Sequence, residues 1–487
     1  MWGSVNDIFD SLFFRLLPKV SLIICGIVLL SMFLYPVTPQ YVDNLFYINS
    51  SRNIFEDFIY MSGLGEFHPT WPIFYSGMLS IFSVLGEYVS FIARSLNLFF
   101  IFLCVCIIFK NKFIKNKKLV ITFFLSNFFL FESSMMEMTD VLFTFQSLLF
   151  LYICASKKKV RYLGVVIVSL ISTMTKTSAL IFPASVIGLM ILDMIWGSRR
   201  ISQKNILLFF SSSLGTAIAL FINAKIQNYH ANDLGVFVNE NWSSNNLDWI
   251  LIELRKAVSF ESFSHKFNLF SSFLFPFRVF PGYSTYFVPF GLFIFFKIFK
   301  NIFSLLRKGE VCINLSFCIA YGLLMTIIQN IATRHLLILT PFLLSLILEG
   351  NLRYRVIKLF LILSFLLNIS LSSYFILFGN KKAHFGLINY FNNSVFYKND
   401  FRSLKVIVDR NRDLLIKSDV YTKSNLGRFI SFLLQKNITY FYDDIDNLRG
   451  LNGSILISPE SLITNENRPT LGELVDSESG VSIYKLR

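Results

Sequence analysis

Charged residues are scarce in this chain: they make up 15% of its 487 residues, against about a quarter in a typical soluble protein. This shortage excludes an ordinary soluble globular protein. Apolar residues account for 54% of the chain, including 57 phenylalanines. They form repeated runs of about 20 residues, the length that crosses a membrane as a helix. The sequence therefore predicts a polytopic α-helical membrane protein.

Cysteines are few, and none lies in a long polar loop. We therefore predict no disulfides. Cys104 and Cys106 are two residues apart within one apolar run, on different faces of a helix, which favours small apolar fillers over metal ligands. The six cysteines all lie in or at the ends of apolar runs: Cys25, Cys104, Cys106, Cys154, Cys312 and Cys318.

Internal repeats, low-complexity tracts and a signal-peptide cleavage motif are also lacking. Apolar residues 20–34 lead into Pro36 and Pro39 without small residues for cleavage, so we expect a first membrane helix that is retained. The apolar runs predict eleven spans, at about 19–38, 88–109, 119–131, 141–155, 162–175, 177–196, 204–224, 284–300, 312–330, 335–349 and 357–378.

The net charge of +15 comes from basic loops between these spans. With eleven spans, every basic loop falls on one side, together with Arg15 and Lys19, and the positive-inside rule makes that side cytoplasmic. We therefore predict a multi-pass plasma-membrane protein with a cytoplasmic N-terminus and an outer C-terminus, and no nucleic-acid partner. The basic loops are at residues 110–118, 157–161, 199–204, 297–308 and 353–358.

The charge alternation requires a single crossing between residues 73 and 109. Pro72–Leu85 is therefore expected to be a helix lying on the outer interface, and Glu87–Lys110 the crossing helix. Residues 1–379 are predicted to form a transmembrane catalytic module, whose first outer loop spans about 39–87.

The polar residues 380–487 are predicted to form a small extracytoplasmic α/β domain. Its expected elements are a helix at 424–436 and strands at 419–422, 439–442, 454–458 and 481–485.

Acids and cations are predicted to gather on the outer face, where carboxylates beside lipid indicate function. A carboxylate there suits a general base that deprotonates an acceptor hydroxyl, and cations suit the lipid phosphate that leaves a lipid-linked sugar. The candidates are Asp43, His68, Arg94, Glu132, Glu137, Asp140, Lys176, Arg278, Arg334 and His335.

The order of these motifs resembles the GT-C glycosyltransferases, and within them the protein O-mannosyltransferase and aminoarabinose transferase group. The resemblance covers residues 20–200 and, more weakly, 330–345. It implies a polyprenyl-phosphate-sugar donor, an inverting reaction, and a glycan, lipid or protein acceptor. Asp43 is then the catalytic base, and Glu137 or Asp140 binds the acceptor or a divalent cation. The residues expected to bind the donor phosphate are Lys176, Arg334, Arg94 and Arg278, and His68 and His335 are further site candidates.

The chain departs from the family pattern at two points. Asp43 is followed by Asn44 where many members carry a second acid, and His68-Pro69 is followed by Thr70 where a second proline is usual. Structural interpretations also stay open: Asp43 and Asp140 as helix caps, and Lys176 as an interface lysine. The alternative functions are a polysaccharide polymerase or ligase, or a flippase or transporter of lipid-linked glycans.

Overall fold

The computed structural model describes most of the chain. The described residues are 42–57, 66–67, 73–135, 139–156, 160–197, 201–228, 237–238, 288–327, 333–348, 355–378, 401–422, 433–440, 453–459, 472–478 and 481–486, with single residues 19, 23, 26, 27, 30, 430 and 431.

The chain divides into two compact units. The first contains residues 1–36, 94–222 and 244–385, and the second contains 37–93, 223–243 and 386–487. The predicted domains, 1–379 and 380–487, are two continuous stretches of sequence, whereas each compact unit is assembled from three separate segments. The division at residue 379 stays a prediction.

The first unit is built from helices. Ten of the eleven predicted spans overlap described helices, whereas the first span contributes only single helical residues; whether each helix crosses a membrane stays a prediction. The helices are Val89–Lys110, which enters from the second unit, then Lys117–Ser126, Phe128–Met135, Thr139–Ala155, Arg161–Thr173, Ile181–Trp196, Gln203–Asn228, Val288–Arg307, Ile313–Ile327, Thr340–Leu348 and Arg355–Phe378.

Three described helices are long and apolar enough to cross a membrane: Val89–Lys110, Thr177–Trp196 and Gln203–Ile226. Small residues let the helices approach closely, which is how helices associate in lipid. In one such contact, the Ser316 hydroxyl donates a hydrogen bond of 2.6 Å to the Ser185 carbonyl.

The stretch between residues 73 and 110 ends in one long helix, as predicted, but the helix predicted at 72–85 is divided in two. Its position on a membrane interface stays a prediction. Helix Phe74–Ser80 and a 3₁₀ helix at Ser83–Tyr88 precede Val89–Lys110. Gly86 has φ +57°, a conformation that glycine adopts without strain. The chain turns there, before the long helix begins.

The predicted span at 119–131 is wrong as a single helix. Asn127 is extended and separates Lys117–Ser126 from Phe128–Met135. Its side-chain oxygen accepts the Phe129 amide at 2.9 Å, and Asn368 accepts the Phe128 amide at 2.9 Å. These two hydrogen bonds provide partners for the first amides of the second helix, which stabilises the break.

The second unit combines helices with a mixed sheet. Its strands include β1 (Glu66–Phe67) and β2 (Phe237–Val238), which pair in parallel and join two segments far apart in sequence. Its helices are Val42–Asp57, Phe74–Ser80, Phe401–Arg410 and Arg412–Lys417.

The larger sheet has five strands: β3 (Val420–Thr422), β4 (Thr439–Tyr440), β5 (Ile455–Pro459), β6 (Gly472–Glu478) and β7 (Val481–Leu486). Their order in the sheet is β4-β3-β5-β7-β6. Strands β3, β4 and β5 are parallel to one another, and β7 runs antiparallel to both β5 and β6. Four of the five coincide with predicted strands, whereas β6 was not predicted.

Two further predictions are met in part. Residues 430, 431, 433 and 434 of the predicted helix at 424–436 are helical, and the others before residue 433 lie outside the described residues. Five cysteines are free thiols, while Cys25 lies outside the described residues.

Candidate active site

An ion pair joins two of the predicted site residues. Lys176 Nζ lies 2.5 Å from Asp140 Oδ1, and the two side chains are 18% and 5% exposed. Asp140 is the second residue of Thr139–Ala155, here called the pair helix, and the N-terminal end of the helix dipole favours a carboxylate there. Because a buried charge is costly without a partner, each residue stabilises the other.

Lys176 is presented by a break between two helices. The Ser172 carbonyl accepts the amides of Thr175 and Lys176 at 3.0 and 2.8 Å, which ends helix Arg161–Thr173. Lys176 itself is extended and leads into the 3₁₀ helix Thr177–Leu180. We call residues 174–176 the lysine turn.

A second contact fixes the lysine turn to the pair helix. Gln146 Nε2 donates to Thr175 Oγ1 at 2.9 Å, and Thr175 Oγ1 donates to the Ile171 carbonyl at 2.8 Å. Asp140 and Gln146 are separated by about 9 Å along the helix. The turn is therefore held at two points, which restricts the position of the Lys176 ammonium.

Aromatic rings lie beside the ion pair. Lys176 Nζ is 6.0 Å from the ring centre of Phe143. Phe143 and Phe150, seven residues apart and so on one helix face, both stack on Phe182, with ring centres 6.1 and 4.2 Å away. Such apolar surroundings keep water away and strengthen electrostatic interactions.

Arg94 lies on helix Val89–Lys110, which contacts both Phe128–Met135 and the pair helix. Arg94 is 3% exposed. One turn further on, Asn97 Nδ2 donates to the Ser134 carbonyl of Phe128–Met135 at 3.3 Å. Next along the helix, Phe100 stacks on Phe145 of the pair helix at 5.5 Å. Arg94 therefore belongs to the same assembly of helices as the ion pair.

The predicted Arg-His motif joins this assembly through its backbone. Arg334 and His335 lie in the 3₁₀ helix Thr333–Ile338. That helix packs against both Phe128–Met135 and the pair helix. The structure thus gathers elements carrying four of the predicted donor or acceptor residues around one helix.

The ion pair has a definite chemical capacity. A lysine ammonium has three N–H donors, and one of them is used by Asp140. The remaining donors and the partial exposure of Lys176 leave it able to bind an anionic group. Asp140 holds the cation in place.

The fold is similar to those of solved structures. ArnT from Cupriavidus metallidurans bound to undecaprenyl phosphate superposes with a TM-score of 0.54 at 12% identity, covering 96% of this chain and 97% of that one. The same protein in the apo state gives 0.56 at 11%, covering 95% and 97%. The archaeal oligosaccharyltransferase AglB from Archaeoglobus fulgidus gives 0.47 at 10%, covering 93% and 70%.

The chain shares the GT-C fold of the two ArnT structures. This confirms the fold that the sequence motifs predict. The similarity is structural: no protein-family model and no curated protein matches the sequence.

The other predicted site residues are placed only in part. Asp43 is the second residue of helix Val42–Asp57 in the second unit, and the structure describes its backbone. Glu132 likewise lies within a described helix. His68, Glu137 and Arg278 lie outside the described residues, so their roles stay predictions.

The described residues offer no ready metal site. No three of their His, Cys, Asp and Glu side chains lie close enough together to hold an ion, and Asp140 is paired with Lys176. A divalent cation bound with the help of Glu137 stays a prediction.

Sequence reasoning missed two residues that order the site. Gln146 and Thr175 fix the lysine turn, and a single glutamine in an apolar helix was the available signal, because a buried amide needs a partner. The pairing of Asp140 with Lys176 was also missed, although both residues were candidates.

Proposed function

We propose that the protein is a glycosyltransferase that moves a sugar from a polyprenyl-phosphate-linked donor to a glycan, lipid or protein acceptor. The observation that carries this proposal is a GT-C fold over 96% of the chain, with a lysine held at a helix end by a buried carboxylate. An ArnT chain with this fold binds undecaprenyl phosphate, which is consistent with a lipid-phosphate ligand here.

The reaction is proposed to take place on the outer face of the plasma membrane. The alternation of basic loops supports this side, with eleven spans, a cytoplasmic N-terminus and a C-terminal domain outside at 380–487. A preloaded lipid donor supplies the energy where ATP is absent.

Asp43 is proposed as the general base. Its carboxylate takes the proton of the acceptor hydroxyl while the hydroxyl oxygen bonds to the anomeric carbon. The bond from that carbon to the phosphate oxygen breaks, and the lipid phosphate leaves as an anion. A single displacement of this kind inverts the anomeric configuration.

Lys176 is proposed to bind the donor phosphate, with Arg94, Arg334 and Arg278 as further cations. Fixed cations stabilise the charge that develops on the leaving phosphate. The ion pair supports Asp140 as the residue that positions Lys176. Glu137 or Asp140 is proposed to bind the acceptor or a divalent cation, and His68 and His335 are proposed as further site residues.

The test replaces the base while keeping its shape. We expect Asp43→Asn to abolish transfer of a radiolabelled sugar from a polyprenyl-phosphate donor in purified, reconstituted protein, because an amide cannot accept the proton. Asp413→Asn, at an exposed acid of the same unit, is the matched control and should retain activity.

Retained turnover in Asp43→Asn would remove it as the base. If the wild-type protein moves the labelled donor across the bilayer without transferring its sugar, the protein is a transporter and the proposal fails.

A further inference from the structure

The helix that carries Asp43 contains a buried cation. Arg52 is 5% exposed and reaches the C-terminal part of the chain. Its Nη1 donates to the Ser431 carbonyl at 3.0 Å, and its Nη2 donates to Asn437 Oδ1 at 2.8 Å and to Ser431 Oγ at 3.4 Å. Arg52 thus contacts two residues that lie 379 and 385 positions further along the chain.

Burying this guanidinium is costly, because its hydrogen-bond acceptors are neutral. The Glu56 carboxylate lies 3.8 Å from Nε but is half exposed, so it stabilises the charge weakly. Burial lowers the pKa of Arg52, and the nearby charges of Glu56 and Asp57 oppose this shift. A contact on the surface would not require a charged group to be buried. In some proteins a buried charged group serves to fix one packing arrangement.

The helix Val42–Asp57, here called the first-loop helix, is enclosed despite its polar sequence. Residues 46–53 are buried without interruption. The Ser83 hydroxyl donates to Ser51 Oγ at 3.1 Å, and the rings of Tyr47 and Tyr75 meet edge to face at 5.3 Å. These contacts tie it to residues 73–88, and Arg52 provides a separate tie to the C-terminal segment.

The segment that receives Arg52 is itself firmly held. Lys436 Nζ donates to the carbonyls of Leu415 and Ser418 at 2.7 and 2.5 Å, where helix Arg412–Lys417 ends. Strand β4 follows directly after Ile438 and pairs with β3 of the larger sheet. Asn437 therefore lies between two fixed elements and offers Arg52 a stable acceptor.

We propose that Arg52 is a positioning residue, which fixes the first-loop helix, and with it Asp43, to the C-terminal segment 431–440. The inference rests on the proposed function, because it takes Asp43 as the base. Asp43 lies about 14 Å along the helix from Arg52. A shift of about 1 Å at a reacting group costs on the order of 100-fold in rate, so the C-terminal segment acts on the transfer step itself.

The experiment measures kcat and acceptor KM for Arg52→Ala and Asn437→Ala in the reconstituted full chain. Both variants should lower kcat about tenfold or more while acceptor KM stays near the wild-type value. The double variant should be no worse than Arg52→Ala, because both changes break one link. Arg410→Ala is the control: it removes an exposed 3.1 Å contact with Asp476 in the same unit and should leave kcat unchanged.

Amide hydrogen exchange gives a readout independent of activity. Residues 42–57 should exchange faster in Arg52→Ala and Asn437→Ala than in wild type. In the control Arg410→Ala they should exchange at the wild-type rate. Since Asn437 is exposed, its variant tests the link even if Arg52→Ala fails to fold.

Unchanged kcat and unchanged exchange in Asn437→Ala, with an active wild type, would overturn this inference and leave the proposed function standing. A higher acceptor KM with normal kcat would also overturn it, because the link would then serve acceptor capture. A wild type that transfers no sugar would overturn the proposed function and the role of Arg52 with it.

Discussion

The pair helix and the first-loop helix are both largely buried, yet their polar side chains are distributed differently. The pair helix buries five phenylalanine and leucine side chains and five polar ones, such as Asp140 and Gln146, which alternate with apolar residues along the helix. The first-loop helix buries five consecutive polar residues, from Asn49 to Asn53. Apolar helices find their place by packing, whereas a buried polar helix must have partners for its side chains.

This difference shows which interactions specify each region. In the first unit, close packing sets the helix positions, and polar contacts fix Lys176. In the second unit, hydrogen bonds set the position of the helix that carries Asp43. Substitutions at matched places can separate these two modes.

The largest stability effect is expected at the ion pair. Lys176→Met leaves the Asp140 carboxylate buried without its cation, which should lower the free energy of unfolding by about 3 kcal/mol. The double variant Asp140→Leu/Lys176→Met should recover most of that loss but not the response to donor concentration. Thermal unfolding in detergent and donor KM are the measurements.

Lys308→Met, at an exposed lysine, serves as the control for the ion pair. A double variant as unstable as Lys176→Met would show that Asp140 is not the main reason for the loss.

A smaller effect is expected from crowding the helix packing of the first unit. A Cβ at Gly215 would overlap the Val166 carbonyl oxygen, whereas a Cβ at Gly322 would meet nothing within 4 Å. Gly215→Ala should therefore destabilise the protein by about 2 kcal/mol, measured by unfolding in detergent. Gly322→Ala is the control, and equal stability of the two variants would contradict close packing at Gly215.

The smallest effect is expected at a hydroxyl contact of the first-loop helix. Ser83→Ala removes the hydrogen bond to Ser51 Oγ and should cost about 1 kcal/mol. Faster amide exchange in residues 46–53 should accompany the loss. Ser80→Ala is the control, because its hydroxyl bonds within its own segment, to the Gly77 carbonyl. A similar increase in the exchange of residues 46–53 in that variant would argue against a specific tie.

Charge and hydropathy predicted much of the helical fold. The basic loops required one crossing at 88–109, and the structure has one helix there, Val89–Lys110. The break at Asn127 was missed because a single asparagine hardly changes an apolar run, and its effect depends on Asn368, which is distant in sequence. Such long-range contacts leave no local pattern.

The candidate site was predicted in its members more than in its contacts. Lys176 was identifiable as a lone charge in an apolar turn, but its pairing with Asp140 depends on how two helices pack. Arg52 was missed because a helix with a polar sequence is ordinarily expected to be exposed to solvent. Strand β6 was missed for a similar reason, since its sequence is polar and most of its described side chains are exposed.

The discontinuity of the second unit has a consequence for the order of assembly during synthesis. Its three parts, 37–93, 223–243 and 386–487, leave the ribosome far apart in time. The β1–β2 pairing cannot form until residue 238 has been made, and Arg52 has no acceptor until Ser431 and Asn437 emerge. The first-loop helix therefore reaches its final environment only after residue 437 has been made, long after the helices of residues 94–222.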